Sequence, residues 1–193
     1  MATPRHHPLG TLGLFVFGAV LLSACDTYPK TPDLALAQIE HVVISGDGAQ
    51  AWTLVDPATR SLVTTLFADE RELKTRLASQ PQDASTKIEL ARIAAVDEPT
   101  AAAFFVRTCQ IWKLLESFRK RLGSTSGPIQ KREDGPGSVW VARFDGMAFH
   151  VVKSGAGWAW ADVKGEWKIE AERVQRSLQK LRPQTGPHKN EGP

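Results

Sequence analysis

Two short turns constrain this chain more than any other feature. Asp145-Gly146 and Gly155-Ala156 divide residues 138–163 into three apolar-rich runs, 138–144, 147–153 and 158–163. Asp-Gly between alternating hydrophobic residues is the signal of a two-residue hairpin turn, so this stretch is expected to be an antiparallel meander. The turns also fix the registers. Phe144 should face Met147, Ala142 Phe149 and Trp140 Val151; beyond the second turn Lys153 should face Trp158, Val151 Trp160 and Phe149 Asp162. Cross-strand partners share a face. One face is therefore expected to carry Trp140, Ala142, Phe144, Met147, Phe149, Val151, Trp158, Trp160 and Asp162. The other should carry Val139, Val141, Arg143, His150, Val152, Ala159 and Ala161.

The aromatic face has two readings. Ligand pockets are lined by apolar and aromatic side chains with a few polar ones among them, and Trp140, Phe149, Trp158, Trp160 and Asp162 have that character. The plainer reading is a core face packed under helices, and most aromatic strand faces are core. His150, among small apolar residues on the opposite face, reads as a structural imidazole. No H-x-x-x-H or C-x-x-C spacing, phosphate loop, dinucleotide fingerprint or Gly-x-Ser-x-Gly elbow occurs. The sequence thus offers no catalytic cluster, no metal site and no cofactor motif.

The region before the meander is helical. Thr31-Pro32 is a cap-plus-proline start, and Gly46-Asp47-Gly48 a stop. A second helical stretch opens near Gln50 and restarts at Asp56-Pro57, carrying Leu62, Val63, Leu66, Phe67, Leu73 and Leu77. Residues 86–96 fit either a strand or a helix. Phe104, Thr108, Ile111, Leu115, Phe118 and Leu122 recur at helical spacing and predict one continuous helix closed by Gly123. Its stripe should pack on the protein's own sheet; exposed, it could serve a structural adaptor. Residues 124–137 read as a loop, 167–181 as a strand end or helix, and 183–193 as a disordered tail.

The chain has 24 Lys and Arg against 21 Asp and Glu, and two cysteines, Cys25 and Cys109. The basic residues cluster only at Arg119-Lys120-Arg121 and Lys131-Arg132, without the aromatic-laced basic stripe of a nucleic-acid binder, so no nucleic-acid partner is expected. Cys109, among Phe104, Phe105, Ile111 and Trp112, is expected to be a buried, structural thiol.

Upstream, Arg5 and an uncharged apolar run from Thr11 to Val20 lead into Leu22-Ser23-Ala24-Cys25. Basic start, short apolar stretch and small residues make a secretory signal, and the run is too short to span a bilayer. With Cys after the small pair, the site resembles a bacterial lipobox. That resemblance implies residues 1–24 as a lipoprotein signal peptide, acylation of Cys25 and a lipid-anchored protein on the periplasmic side of the cell membrane. Asp26 resembles the signal that retains lipoproteins in the inner membrane, the outer membrane being the alternative. Residues 25–31 are expected to be a tether and 32–182 a single α+β domain.

The order of elements, and the segment from Gly46-Asp47-Gly48 through Trp52 to Asp56-Pro57, resemble the NTF2-like (SnoaL-like) superfamily. The resemblance implies a cone of N-terminal helices on a curved antiparallel sheet, with a C-terminal helix added. Enzymes of that superfamily use an Asp/His pair inside the cone, whereas His150 is expected opposite Asp162. The leading expectation is therefore a non-catalytic envelope lipoprotein that binds a small apolar ligand or an envelope protein. The alternatives are a small SnoaL-like enzyme with Asp162 as general base, and an adaptor acting through helix 104–122.

Overall fold

The computed structural model describes residues 28–161 and 163–181. The expected signal segment, Cys25, Asp26, Asp162 and the expected tail lie outside the described residues. Three helices come first, each set by its cap. Thr31 accepts from the Leu34 amide at 3.3 Å and Pro32 opens α1 (Pro32–Ser45), which Gly46 closes at φ 73°. Asp47 caps α2 (Gly48–Leu54). Asp56 accepts from the Ala58 and Thr59 amides at 2.9 and 3.2 Å and starts α3 (Pro57–Ala78). These carboxylates and hydroxyls satisfy amides that a helix start leaves unpaired.

The ambiguous segment is helical: α4 (Ala84–Arg92), then a 3₁₀ turn at Ala94–Asp97. The expected single helix over 104–122 is instead two, α5 (Ala101–Ile111) and α6 (Leu114–Arg121), broken where Lys113 takes φ 51°. A left-handed residue cannot continue a right-handed helix. Phe104, Thr108, Leu115, Phe118 and Leu122 are nevertheless all buried, with Ile111 45% exposed at the break. The stripe is core, which removes the exposed face that an adaptor would need.

Four strands form one antiparallel sheet in the order β1 (Ile129–Glu133), β2 (Ser138–Arg143), β3 (Phe149–Ser154) and β4 (Gly157–Trp160). β1 lies in the expected loop; its side chains are largely exposed and charged, as suits an edge strand. A last helix, α7 (Lys164–Lys180), packs along α3. The domain is thus α+β, with α1 crossing one face of the sheet and α2, α3, α5, α6 and α7 layered beyond it.

The second hairpin has the expected register, with Val151 opposite Trp160 and Lys153 opposite Trp158. The first is displaced by one residue: Val139 faces Val151, Trp140 faces His150 and Val141 faces Phe149. The turn closes with Gly146 N–H donating to the Arg143 carbonyl at 2.9 Å and Asp145 at φ 59°, so Phe144 belongs to the five-residue connection 144–148 rather than to a strand. A slip of one residue exchanges the faces of a strand. Trp140 and Ala142 consequently lie on the outer face with His150, while Val139, Val141 and Arg143 turn toward the helices. Arg143 there grips buried Glu40 of α1 through three contacts of 3.2–3.3 Å. Phe144 is 54% exposed.

The tether is also shorter than expected. Tyr28 is buried, its hydroxyl donating to the Val55 carbonyl at 3.0 Å, and the Trp158 amide donates to the Pro29 carbonyl at 2.8 Å. Gly157 is what allows this approach. A Cβ on it would lie 2.5 Å from the Tyr28 Cβ and 2.6 Å from the Tyr28 carbonyl oxygen. Gly157→Ala is therefore expected to lower the urea midpoint by the equivalent of about 1–3 kcal/mol, as overpacking does. An unchanged midpoint would show that residues 28–29 add nothing to the fold.

Candidate functional site

Of the expected pocket residues, Phe149, Trp158 and Trp160 share one face of the sheet and Trp140 does not. Phe149 and Trp160 are fully buried, edge-on to each other at 6.0 Å, with Phe118 of α6 against both at 6.2 and 5.2 Å. They are core. Trp158 is half-buried at the rim of the same face, and Trp140 is on the opposite face. Asp162 lies outside the described residues.

The register slip instead builds a polar cluster on the outer face of the sheet. Trp140 and His150 stack at 4.7 Å between centroids, with the Arg132 guanidinium 5.8 Å from the Trp140 ring. Ser138 Oγ lies 2.6 Å from His150 Nε2, Asp134 Oδ2 lies 3.7 Å from that same nitrogen, and the Trp140 indole donates to Asp134 at 3.2 Å. Serine, histidine and aspartate suggest a triad, but the geometry is not one. In a triad the carboxylate holds Nδ1 while Nε2 faces the hydroxyl; here both oxygens crowd Nε2. The cluster joins β2 to β3 and to the β1–β2 turn, a cross-strand role.

The helices supply a different kind of site. Where α1 ends, α2 begins and α5 bends into α6, they leave a groove of about 320 Å³. Its floor is Val43, Gly48, Val106, Cys109 and Leu115; Gln110, Lys113, Glu116 and Arg119 stand around it. The break at Lys113 brings residues of α5 and α6 to one opening, and Gly48 lets α2 approach so closely that a Cβ would sit 3.2 Å from Val106. Glu116 is held below the usual carboxylate range by its bond to Lys120, with Lys113 and Arg119 adding to the effect. Two cations, Lys113 and Arg119, thus stand with Glu116 around the groove, while Lys120 pairs with Glu116 from outside its lining. Burial pushes the Cys109 thiol up to about 12, so it is neutral at physiological pH and serves the floor as an apolar atom rather than a nucleophile. No sequence motif marks this groove; its residues are contributed by four helix ends.

A third cluster lies between α3, α4 and α7. Arg173 reaches both oxygens of Glu170 at 2.9 Å through Nε and pairs with Glu89, which Ser177 also supports at 3.3 Å. Glu70 is buried beside them. Burial, then the neighbouring Glu170 and Glu89, pushes its carboxyl up to about 8, against a smaller opposing pull from Arg173. Burial chiefly, with Glu170 adding to it, thus leaves Glu70 holding its proton at neutral pH. Among the described residues, no three His, Cys, Asp or Glu side chains are grouped to hold a metal ion, and no helix is long and apolar enough to cross a membrane.

The sign of the Glu70 effect follows from linkage. The folded pKa lies above the unfolded one, so the folded state binds the extra proton and stability falls as pH rises from about 4.5 toward about 8. Glu70→Gln, neutral throughout, is expected to flatten that fall and to exceed wild type by on the order of 1–3 kcal/mol at about pH 9. Urea melts across this range check it; parallel curves for the two proteins would place the titration elsewhere.

No family model matches the chain, and no curated protein or solved structure matches it.

Proposed function

We propose that this chain is a lipid-anchored lipoprotein of the bacterial envelope. It is held on the periplasmic side through acylated Cys25, at the inner membrane by virtue of Asp26. Its domain is a non-catalytic module that binds a small apolar ligand. The observation that carries the binding role is the helical groove, whose apolar floor lies beneath a mouth lined by two cations, Lys113 and Arg119, and one carboxylate, Glu116. Such a lining suits an amphipathic molecule with an anionic head, since the floor removes apolar area from water and the cations meet the head. The neutral Cys109 thiol and the crowded Nε2 of His150 support a binding role over catalysis. The same reading takes the architecture as a divergent NTF2-like cone. The helix-first order and the antiparallel meander folded over α1 support it, and α4–α6 are additions to that plan.

The groove is tested with Val106→Arg in protein beginning at Asp26. Val106 is half-buried, so the substitution blocks the floor without opening the core. A fluorescent fatty acid is expected to bind the wild type saturably and the variant about tenfold or more weakly, a loss of about 1.4 kcal/mol or more. No saturable binding, or equal binding by both, overturns the ligand role.

The anchor is tested by metabolic labelling with a palmitate analogue. Cys25→Ala should carry no label and should leave unprocessed or soluble protein. Label persisting on that variant would overturn the lipoprotein reading.

A further inference from the structure

The docking of Tyr28 bears on which side of a lipid-anchored domain would meet the membrane. Tyr28 is locked against β4 and the α2–α3 junction through its hydroxyl, the carbonyl of the next residue, Pro29, and the close approach of Gly157. Only three Cα–Cα steps separate Tyr28 from Cys25. Whatever path they take, at 3.8 Å each they span no more than about 11 Å. The headgroup layer on one side of a bilayer is itself about 5–8 Å thick. A domain tied to an acylated Cys25 therefore has room for only a few ångströms of water beneath it, and cannot tumble freely on its anchor.

We infer that the end of the sheet bearing the β3–β4 turn rests on the phospholipid headgroups of the bilayer that holds the anchor. The inference depends on the lipoprotein reading and gives it an orientation. The side chains at that end have headgroup chemistry. Trp158 is half-buried, Lys30 beside Tyr28 and Lys153 opposite Trp158 are exposed, and indoles and lysines are the groups that settle at a membrane–water interface. Charge alone does not hold this face down. Lys30, Lys131, Arg132 and Lys153 are set against Asp33, Glu133 and Asp134, four minus three, a net of one. The short covalent link supplies the hold, and the groove between α1, α2, α5 and α6 remains a separate site.

The test uses the full-length lipidated protein in phosphatidylethanolamine–phosphatidylglycerol vesicles whose headgroups carry a nitroxide quencher. A fluorophore is placed through Ala156→Cys in the β3–β4 turn, or through Thr125→Cys. Thr125 is exposed in the loop whose Gly123 bridges to Gly146, at the opposite end of the sheet. Strand β3 alone holds the two ends about 17 Å apart, so quenching is expected to be about threefold stronger at residue 156. Equal quenching, or stronger quenching at residue 125, overturns the orientation while the anchor stands. Failure of the protein to float with the vesicles overturns the anchor itself, and the orientation with it. A flexible linker of roughly 30 Gly and Ser residues between Asp26 and Thr27, about 30 Å root-mean-square, should bring the ratio to near one. A ratio that survives the linker would show that the short tether is not the cause.

Discussion

The edge of β4 is where this molecule is joined. A free strand edge presents unpaired amides and carbonyls, and here two separate segments occupy it. The Asp56 amide donates to the Trp160 carbonyl at 3.0 Å, with Val55 bridging in parallel, while Pro29 accepts from Trp158. The first contact pins the α2–α3 junction to the sheet, so the cap that starts α3 is also a sheet contact. Asp56 thus organises three things with one residue: two helix amides through its side chain, the strand through its backbone, and Thr59 through a further hydroxyl contact. Trp160, fully buried between Phe118 and Phe149, then transmits the position of that edge into the core.

From this junction the layers follow. α1 lies under the sheet, fixed at one side by Arg143 on Glu40 and at its start by Lys131 on Asp33 at 2.7 Å. The helices beyond it pack through a second aromatic group. Trp167 of α7 meets Phe105, Trp112 and Phe104 at 5.1, 4.9 and 6.1 Å. Among the described residues its buried indole nitrogen has no hydrogen-bond partner, so this contact is one of shape rather than of hydrogen bonding. The α3–α7 layer carries its own electrostatic burden in Glu70, so the domain is not equally sound on all sides or at all pH values.

Much of this was legible from local chemistry. The Thr31-Pro32 and Asp56-Pro57 starts and the Gly46 stop are short-range devices, and so is the Gly155-Ala156 turn. What escaped was set by distant partners. Gly146 is packed so tightly that a Cβ would sit 2.7 Å from the Ser124 carbonyl oxygen, and Met147 donates to Leu122 at 2.9 Å. The end of α6 therefore shapes the first hairpin turn, and its register cannot be read from Asp145-Gly146 alone. The break at Lys113 interrupts a stripe that stays buried throughout, so hydrophobic spacing gave no sign of it. The groove exists because of that break, which explains why no motif announced it. Tyr28 looked like linker because its partners, Val55, Arg60 and Gly157, lie well outside its local sequence.

That separation has a consequence in time. The Pro29–Trp158 contact joins residues 129 apart (158 − 29), and a closure of that span forms only once the intervening chain is present and its strands are paired. Emerging N-terminus first, the chain must hold its opening segment loose until nearly the whole domain has been delivered. Tyr28 and Pro29 thus stay undocked through most of synthesis, and the edge of β4 is closed only late in assembly.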